Sequence, residues 1–203
     1  MRIDRTLMTL AAVALASTSS VAVRAQSNNN LPLDGPVVAG VCVLSREAIF
    51  ANAKVGQAAS DRLKQLAQQA QAGIDTERKP IEADLQTYRA QAASLSADQR
   101  QSREQALTQR MQTVQADQAL RSRELEATRT QAMQQIAQYA QPVINNAYHS
   151  KNCGLLLDRN SVLGGNMAND LTAAVVQGLD AKVTTISFNL ATLPADGASG
   201  ATP

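Results

Sequence analysis

Residues 57–95 read QAASDRLKQLAQQAQAGIDTERKPIEADLQTYRAQAASL, and their pattern decides the fold. Ala67, Ile74, Ile81, Tyr88 and Leu95 recur every seven residues, and Leu63, Ala70, Leu85 and Ala92 widen the same stripe. An apolar face of that period, on a segment otherwise rich in Gln and charge, predicts an amphipathic helix of coiled-coil type. Residues 96–99 (SADQ) follow at once. Their Ser-x-x-Gln form predicts a capping box, in which the hydroxyl takes an orphan backbone N–H and the Gln reaches back, so a second helix starts there. Its stripe is sparse at Leu107, Met111 and Val114 and firms up as Leu125, Ala132, Ile136, Ala140 and Val143. Two arms of about 40 residues each, paired as an antiparallel hairpin over residues 57–147, would project on the order of 60 Å at 1.5 Å per residue. Gly73 and Pro80 are poor helix formers within eight residues, and Pro142 lies near the base of the second arm. Proline removes one ladder bond and crowds the preceding turn, so both arms read as bendable, with Gly73 and Pro80 as the candidate hinge.

Composition agrees with an extended helical segment. Of 203 residues 44% are hydrophobic but only 2% are aromatic, while there are 36 Ala and 21 Gln, 19 of the Gln between residues 57 and 141. Five rings cannot organise a large single-cored catalyst. One His and two Cys cannot supply the clustered ligands of a transition-metal site, so neither metal nor cofactor is expected. His149 reads as a polar residue in the turn after the second arm. Asp158-Arg159 has no nucleophile, second carboxylate or phosphate cradle near it in sequence, and reads as a salt bridge or body contact. Gly164-Gly165 fits neither a Walker nor a dinucleotide pattern. No catalytic residue is assigned.

Toward the N-terminus, Arg2 and Arg5 precede an apolar stretch over residues 7–16, and Val23-Arg24-Ala25 offers small residues before Gln26. This predicts a signal peptide over residues 1–25, too short in its apolar part for the roughly 20 residues of a spanning helix. Cleavage takes Lys+Arg from 19 to 16 and Asp+Glu from 17 to 16, leaving no net side-chain charge. A neutral chain argues against strong attraction to nucleic acid or an anionic bilayer. Residues 26–36 read as a flexible leader. Residues 37–44 (VVAGVCVL) predict a strand covered on both faces, followed by a short helix with Ile49 and Phe50. After the hairpin come a strand at 153–158, a Gly-containing loop, a helix capped by Asn169-Asp170, a strand over 182–190 (KVTTISFNL), and a disordered tail from 191 to 203. The fold class is therefore α+β: a small, discontinuous β-rich body (37–56 and 148–190) carrying one long hairpin arm. A body with so few strands has open edges and little buried surface, which predicts completion by further copies of the chain.

Residues 41–50 (VCVLSREAIF) with 53–56 (AKVG), the Ala/Gln-rich hairpin, and residues 155–183 (LLLDRNSVLGGNMANDLTAAVVQGLDAKV) together resemble the periplasmic chaperone family called Skp or OmpH-like. The resemblance spans residues 37–190, its most specific pieces being the two body segments. It implies a homotrimer whose arms enclose a cavity for unfolded outer-membrane proteins, in the periplasm of a Gram-negative bacterium, without catalysis, ATP or metal. Members are often strongly basic, and the neutral mature chain does not share that feature, which speaks against lipopolysaccharide or membrane contact. Only Arg89, Arg100, Arg103 and Arg110 against Asp98 and Glu104 give the tips a slight positive excess.

On that reading Leu85, Tyr88, Leu95, Leu107, Met111 and Val114 are candidates for many weak apolar contacts with a client; the same spacing also suits the hairpin's own seam. Cys42 and Cys153 each lie in or beside a predicted strand, and export places them where disulfides persist, so they are expected to be bonded; two buried thiols are the alternative. A structural coiled-coil spacer and an exported enzyme are the competing function classes. The 115–124 stretch offers a seam only Ala and one Leu, which disfavours the spacer.

Overall fold

A computed structural model describes residues 31–33 and 35–194 of the chain. The expected signal peptide, the start of the expected leader and the end of the expected tail lie outside the described residues. In chain order the elements are β1 (Leu31–Pro32), β2 (Val41–Leu44), α1 (Arg46–Asn52), α2 (Lys54–Gln91), α3 (Ala97–Ser150), β3 (Leu155–Asp158), β4 (Gly164–Gly165) and α4 (Thr172–Asp180). Short 3₁₀ turns lie at Ala92–Ser94, Arg159–Ser161 and Met167–Asn169.

β2 and β3 pair in parallel, Val41 opposite Leu155 and Leu44 opposite Asp158. Parallel strands cannot be joined by a tight turn and need a crossover. Here the crossover is α1, α2 and α3 together, so the arm is one enlarged connection between neighbouring strands. The predicted strand over 37–44 is shorter than expected, because only residues 41–44 meet a partner. It is also covered on one face only. Cys42 and Leu44 are buried, whereas Val41, Val43 and their partners Leu155 and Leu157 form an apolar face that is half-buried at best. Part of the expected leader is ordered too: β1 pairs in parallel with β4, the Gly164-Gly165 step.

The hairpin forms as expected. Ser96 accepts from the Gln99 N–H and the Gln99 side chain accepts from the Ser96 N–H, the reciprocal box that starts α3. Antiparallel pairing shows in Arg103 to Gln91 at 2.9 Å, in Arg110 to Asp84, and in the Tyr88 hydroxyl donating to Glu104. The outer seam packs Ile74 and Ile81 of α2 against Val114 of α3, with Leu107 and Met111 alongside. The heptad reading fails at one step: Leu66 is buried and Ala67 exposed. α2 has 38 residues and α3 has 54, so at 1.5 Å per residue they run about 57 and 81 Å. α3 exceeds the expected length because its basal turns belong to the body, and His149 sits in its last turn rather than in a loop. Pro80 and Pro142 lie inside helices that continue past them, although Pro80 offers no N–H to the carbonyl of Thr76.

The body core gathers Cys42, Leu44 and Ile49, the foot of α2 at Val55 and Ala59, the foot of α3 at Ile136, Ala140 and Val143, and Leu171, Val175 and Leu179 around α4. Side chains cap its joints. Ser45 Oγ accepts from Ala48 N at the start of α1, and Ser45 N in turn donates to Thr172 Oγ1 at 3.0 Å. The first N–H of α2, at Lys54, is taken by Asp180 Oδ1 at 2.8 Å. Gly56 allows the tight α1–α2 joint, since a Cβ there would stand 1.9 Å from the Phe50 carbonyl oxygen. The N-cap position of α4 is Leu171 rather than the expected Asn169-Asp170; Asp170 accepts from Thr172 N at 2.8 Å just ahead of it, whereas Asn169 donates to the carbonyls of Val38 and Val41.

The largest departure from expectation is the segment after α4. Residues 182–190 are not a strand. Alternation is present, with 186, 188 and 190 half-buried and 187 and 189 exposed, but no neighbouring strand runs beside them. The segment instead leaves the body and climbs the arm, and residues 191–193, expected in the tail, are docked on α3.

Candidate functional site

Three places hold the residues singled out by sequence: the outer arm, the arm root and the two-strand unit of the body. In the outer arm the seam absorbs part of the candidate set. Val114, at 6% exposure, packs against Ile74 and Ile81 and is not presented to solvent. Leu85, Tyr88, Leu95, Leu107 and Met111 are half-buried. Leu85, Leu107 and Met111 line one shallow groove together with Ile81, and Tyr88 and Leu107 line another with Asp84, Arg103 and Arg110. Leu95 lies apart from both, just before the Ser96 cap. The adjacent Glu104 carboxylate, through its hydrogen bond, holds the Tyr88 phenol above its ordinary range, so that ring stays a neutral donor. The first groove joins an apolar floor to the neutral polar rim of Thr108, Gln112 and Gln115, the second to a mixed-charge rim. They can make brief contacts with apolar side chains, but they gather no acid, base and nucleophile around one point.

Gly73 and Pro80 are both exposed on α2, outside the seam. A methyl group at Gly73 would meet nothing within 4 Å, so packing does not require a glycine there.

At the body, Cys42 and Cys153 are joined in a disulfide with Cα atoms 5.8 Å apart. It ties β2 to the segment that follows α3 and so closes the two roots of the arm. Asp158 caps the turn after β3 by accepting from Asn160 N and pairs with Arg46 at 3.2 Å. Those contacts, the Asn160 N–H first, hold its carboxyl below the ordinary carboxylate range. Arg159 pairs with Asp170 at 3.0 Å. These two residues link β3 to α1 and to the start of α4. His149 makes an edge contact with the Tyr148 ring.

The residues that sequence reading missed are Arg62, Glu124 and Thr128. Glu124 and Thr128 lie one turn apart on α3, at 2% and 0% exposure, in the stripe that Ala132 and Ile136 continue. They accept the backbone N–H groups of Leu193 and Ala191, at 3.2 and 2.8 Å. Arg62 Nε on α2 donates to the Phe188 carbonyl at 3.4 Å. A polar pair inside an apolar stripe was the available signal; the apolar periodicity passes over it.

Among the described residues no group of three or more His, Cys, Asp or Glu could hold a metal ion, and no helix is long and apolar enough to cross a membrane. A family described as "Outer membrane protein (OmpH-like)" matches residues 40–179. A crystal structure of an OmpH-like protein from Caulobacter crescentus, put forward as an outer membrane chaperone, is similar with a TM-score of 0.70 and 31% identity. The match covers 78% of this chain and 94% of that one. No curated protein matches.

Proposed function

The chain belongs to the OmpH-like family, and we propose that it is an ATP-independent periplasmic holdase, with no catalytic activity of its own, that sequesters unfolded outer-membrane β-barrel proteins between the arms of a homotrimer. The observation that carries this reading is the outer arm. A hairpin of about 57 Å on its shorter helix ends in shallow apolar grooves around Leu85, Tyr88, Leu107 and Met111, with no convergent polar constellation.

An unfolded barrel precursor exposes alternating apolar side chains and unpaired backbone groups, and such edges associate with one another in water. Enclosing the precursor prevents that encounter. Half-buried contacts on a surface otherwise rich in Gln and Ala are individually weak, so the client leaves without fuel. Bending near Gly73 and Pro80 lets the cavity adapt to precursors of different size. The neutral mature charge supports holding through apolar contact rather than through nucleic acid, lipopolysaccharide or membrane attraction.

The body supports self-association. Leu155 and Leu157 are exposed on a sheet face that Val41 and Val43, half-buried, continue, while Val38 is 64% exposed and Leu163 fully so. A two-stranded sheet with such a face, bridged beside β2 only at Asp170 and with no strand beside β3 among the described residues, is incomplete alone.

The test is light scattering of a urea-diluted outer-membrane β-barrel protein with and without this chain, freed of residues 1–25. Suppression that saturates near three chains per client supports holding. Unchanged aggregation would favour a coiled-coil spacer of the envelope.

A further inference from the structure

Residues 183–194 form an extended strap along the arm. Val183, Ile186 and Phe188 pack on the body core, and beyond them Leu190, Ala191 and Leu193 lie over the join between α2 and α3. The geometry of that join is specific. Ala191 and Leu193 are two residues apart, so their N–H groups point to the same side of an extended chain, about 6.6 Å apart. Thr128 and Glu124, which accept them, are four residues apart on one helix face, about 6 Å along its axis. A helix presenting acceptors every fourth residue thus matches the repeat of an extended backbone.

Each acceptor is also held by a contact that does not involve the strap. The Thr128 hydroxyl donates to the Glu124 carbonyl at 2.6 Å, which turns its lone pairs outward, and Glu124 Oε2 is held by Arg121 at 2.6 Å, leaving Oε1 for Leu193. The floor is apolar at Leu66, Ala70 and Ile74, edged by Gln69 and Glu77, and incompletely filled. Leu190 shares with Leu66, Ala70, Gly73, Ile74 and Arg121 a cavity of about 250 Å³. Such a cleft reads backbone amides and alternating apolar side chains, not a particular sequence, and these are the features an unfolded β-barrel segment offers.

We propose that Leu66, Ile74, Glu124 and Thr128 form a cleft for extended polypeptide, that residues 190–193 occupy it as a built-in surrogate, and that an unfolded client segment displaces them. The proposal rests on the holdase reading and assigns it a defined subsite at the arm root. Displacement needs no unfolding of the body, because Val183, Ile186 and Phe188 remain packed while the last turn-length of strap peels away; Glu124 and Thr128 then meet water or the client. A tethered surrogate competes at high effective concentration, so isolated short segments are rejected, and a long client that engages several arms at once prevails.

The probe is a fluorescein-labelled peptide copying residues 186–194 (ISFNLATLP). It is titrated, by anisotropy, against the chain lacking residues 1–25, against that chain ended at Asn189, and against the A191P/L193P variant of residues 26–203, which loses both donors without altering the cleft residues. Expected are binding at least ten-fold tighter to the two strap-free forms, loss of that gain when T128V is added, its retention with T128S, and displacement of the peptide by a urea-unfolded outer-membrane β-barrel protein. Equal peptide binding by all forms, or a gain indifferent to T128V, would overturn the proposal. If the shortened chain melts early, A191P/L193P decides, since it keeps every core-packed strap residue. Peptide binding as expected without any suppression of aggregation would leave the cleft standing and remove the holdase reading. Normal suppression with no peptide binding would do the reverse.

Discussion

At the residue scale, the least tolerant position is Gly56. Its missing Cβ lets α2 begin against the Phe50 carbonyl, and neither backbone can retreat without opening the body core. Gly56→Ala is expected to destabilise the chain by about 3 kcal/mol or more, as overpacking against rigid backbone does, and a urea titration followed by circular dichroism measures it. Gly73 is the opposite case. It has open space around it, so Gly73→Ala should stabilise α2 by about 0.5–1 kcal/mol, read as a higher melting temperature. If the arm's bending depends on the flexibility of Gly73, the same variant should narrow the size distribution seen by small-angle scattering. Asp158 gives a pH signature. Its pKa is depressed in the fold, so the ionised carboxylate contributes stability in full above its unfolded value of about 3.9, and that contribution disappears as pH falls through the folded value. Arg46 is largely exposed and its share is screened. Asp158→Asn should therefore cost less than about 1 kcal/mol at pH 7, and variant and parent should converge as pH falls below the folded value in the same titration.

At the scale of elements, sequence was most legible where one physical rule acted alone. The Ser96–Gln99 box marked the start of α3 because capping is local, and Ser96→Ala should cost about 1 kcal/mol. Ile74 and Ile81 were readable as seam because both face Val114 across the helix pair. The same seven-residue step misplaced Ala67. There the buried residue is Leu66, which shares its groove with Leu190, a residue more than 120 positions away. A heptad pattern describes two helices, and at the root of this arm three segments meet. Residues 182–190 show the complementary failure. Their alternation is real, but a strand also needs a partner, and here Arg62 of α2 donates to the Phe188 carbonyl while Ala191 and Leu193, just beyond, donate to side chains of α3. Glu124 and Thr128 went unread for the same reason, since as polar residues they added nothing to an apolar stripe. Of the outer-arm candidates, Leu85, Leu107 and Met111 come together in one groove, whereas Val114 was inseparable from them by spacing and lies in the seam. The disulfide acts at this scale too. It spans 111 residues of chain, so it should contribute on the order of 4–5 kcal/mol, and reduction should lower the melting temperature while exposing two thiols per chain to labelling.

At the scale of the whole molecule, a single chain presents two kinds of unfinished surface. The body leaves Leu155, Leu157 and Leu163 exposed and Val41 and Val43 half-covered, and the arm leaves its outer grooves open. Copies meeting at the bodies would cover the first kind and turn the second toward a shared space, which is how one small core could hold a client far larger than itself. Leu155→Glu together with Leu157→Glu should then dissociate the assembly and abolish aggregation suppression, while the arm keeps its helical circular dichroism signal. The most direct measurement is native mass spectrometry of the chain from residue 26, mixed with one urea-unfolded outer-membrane β-barrel protein. The account predicts a mass of three chains plus one client. A lone chain with no client attached would contradict it.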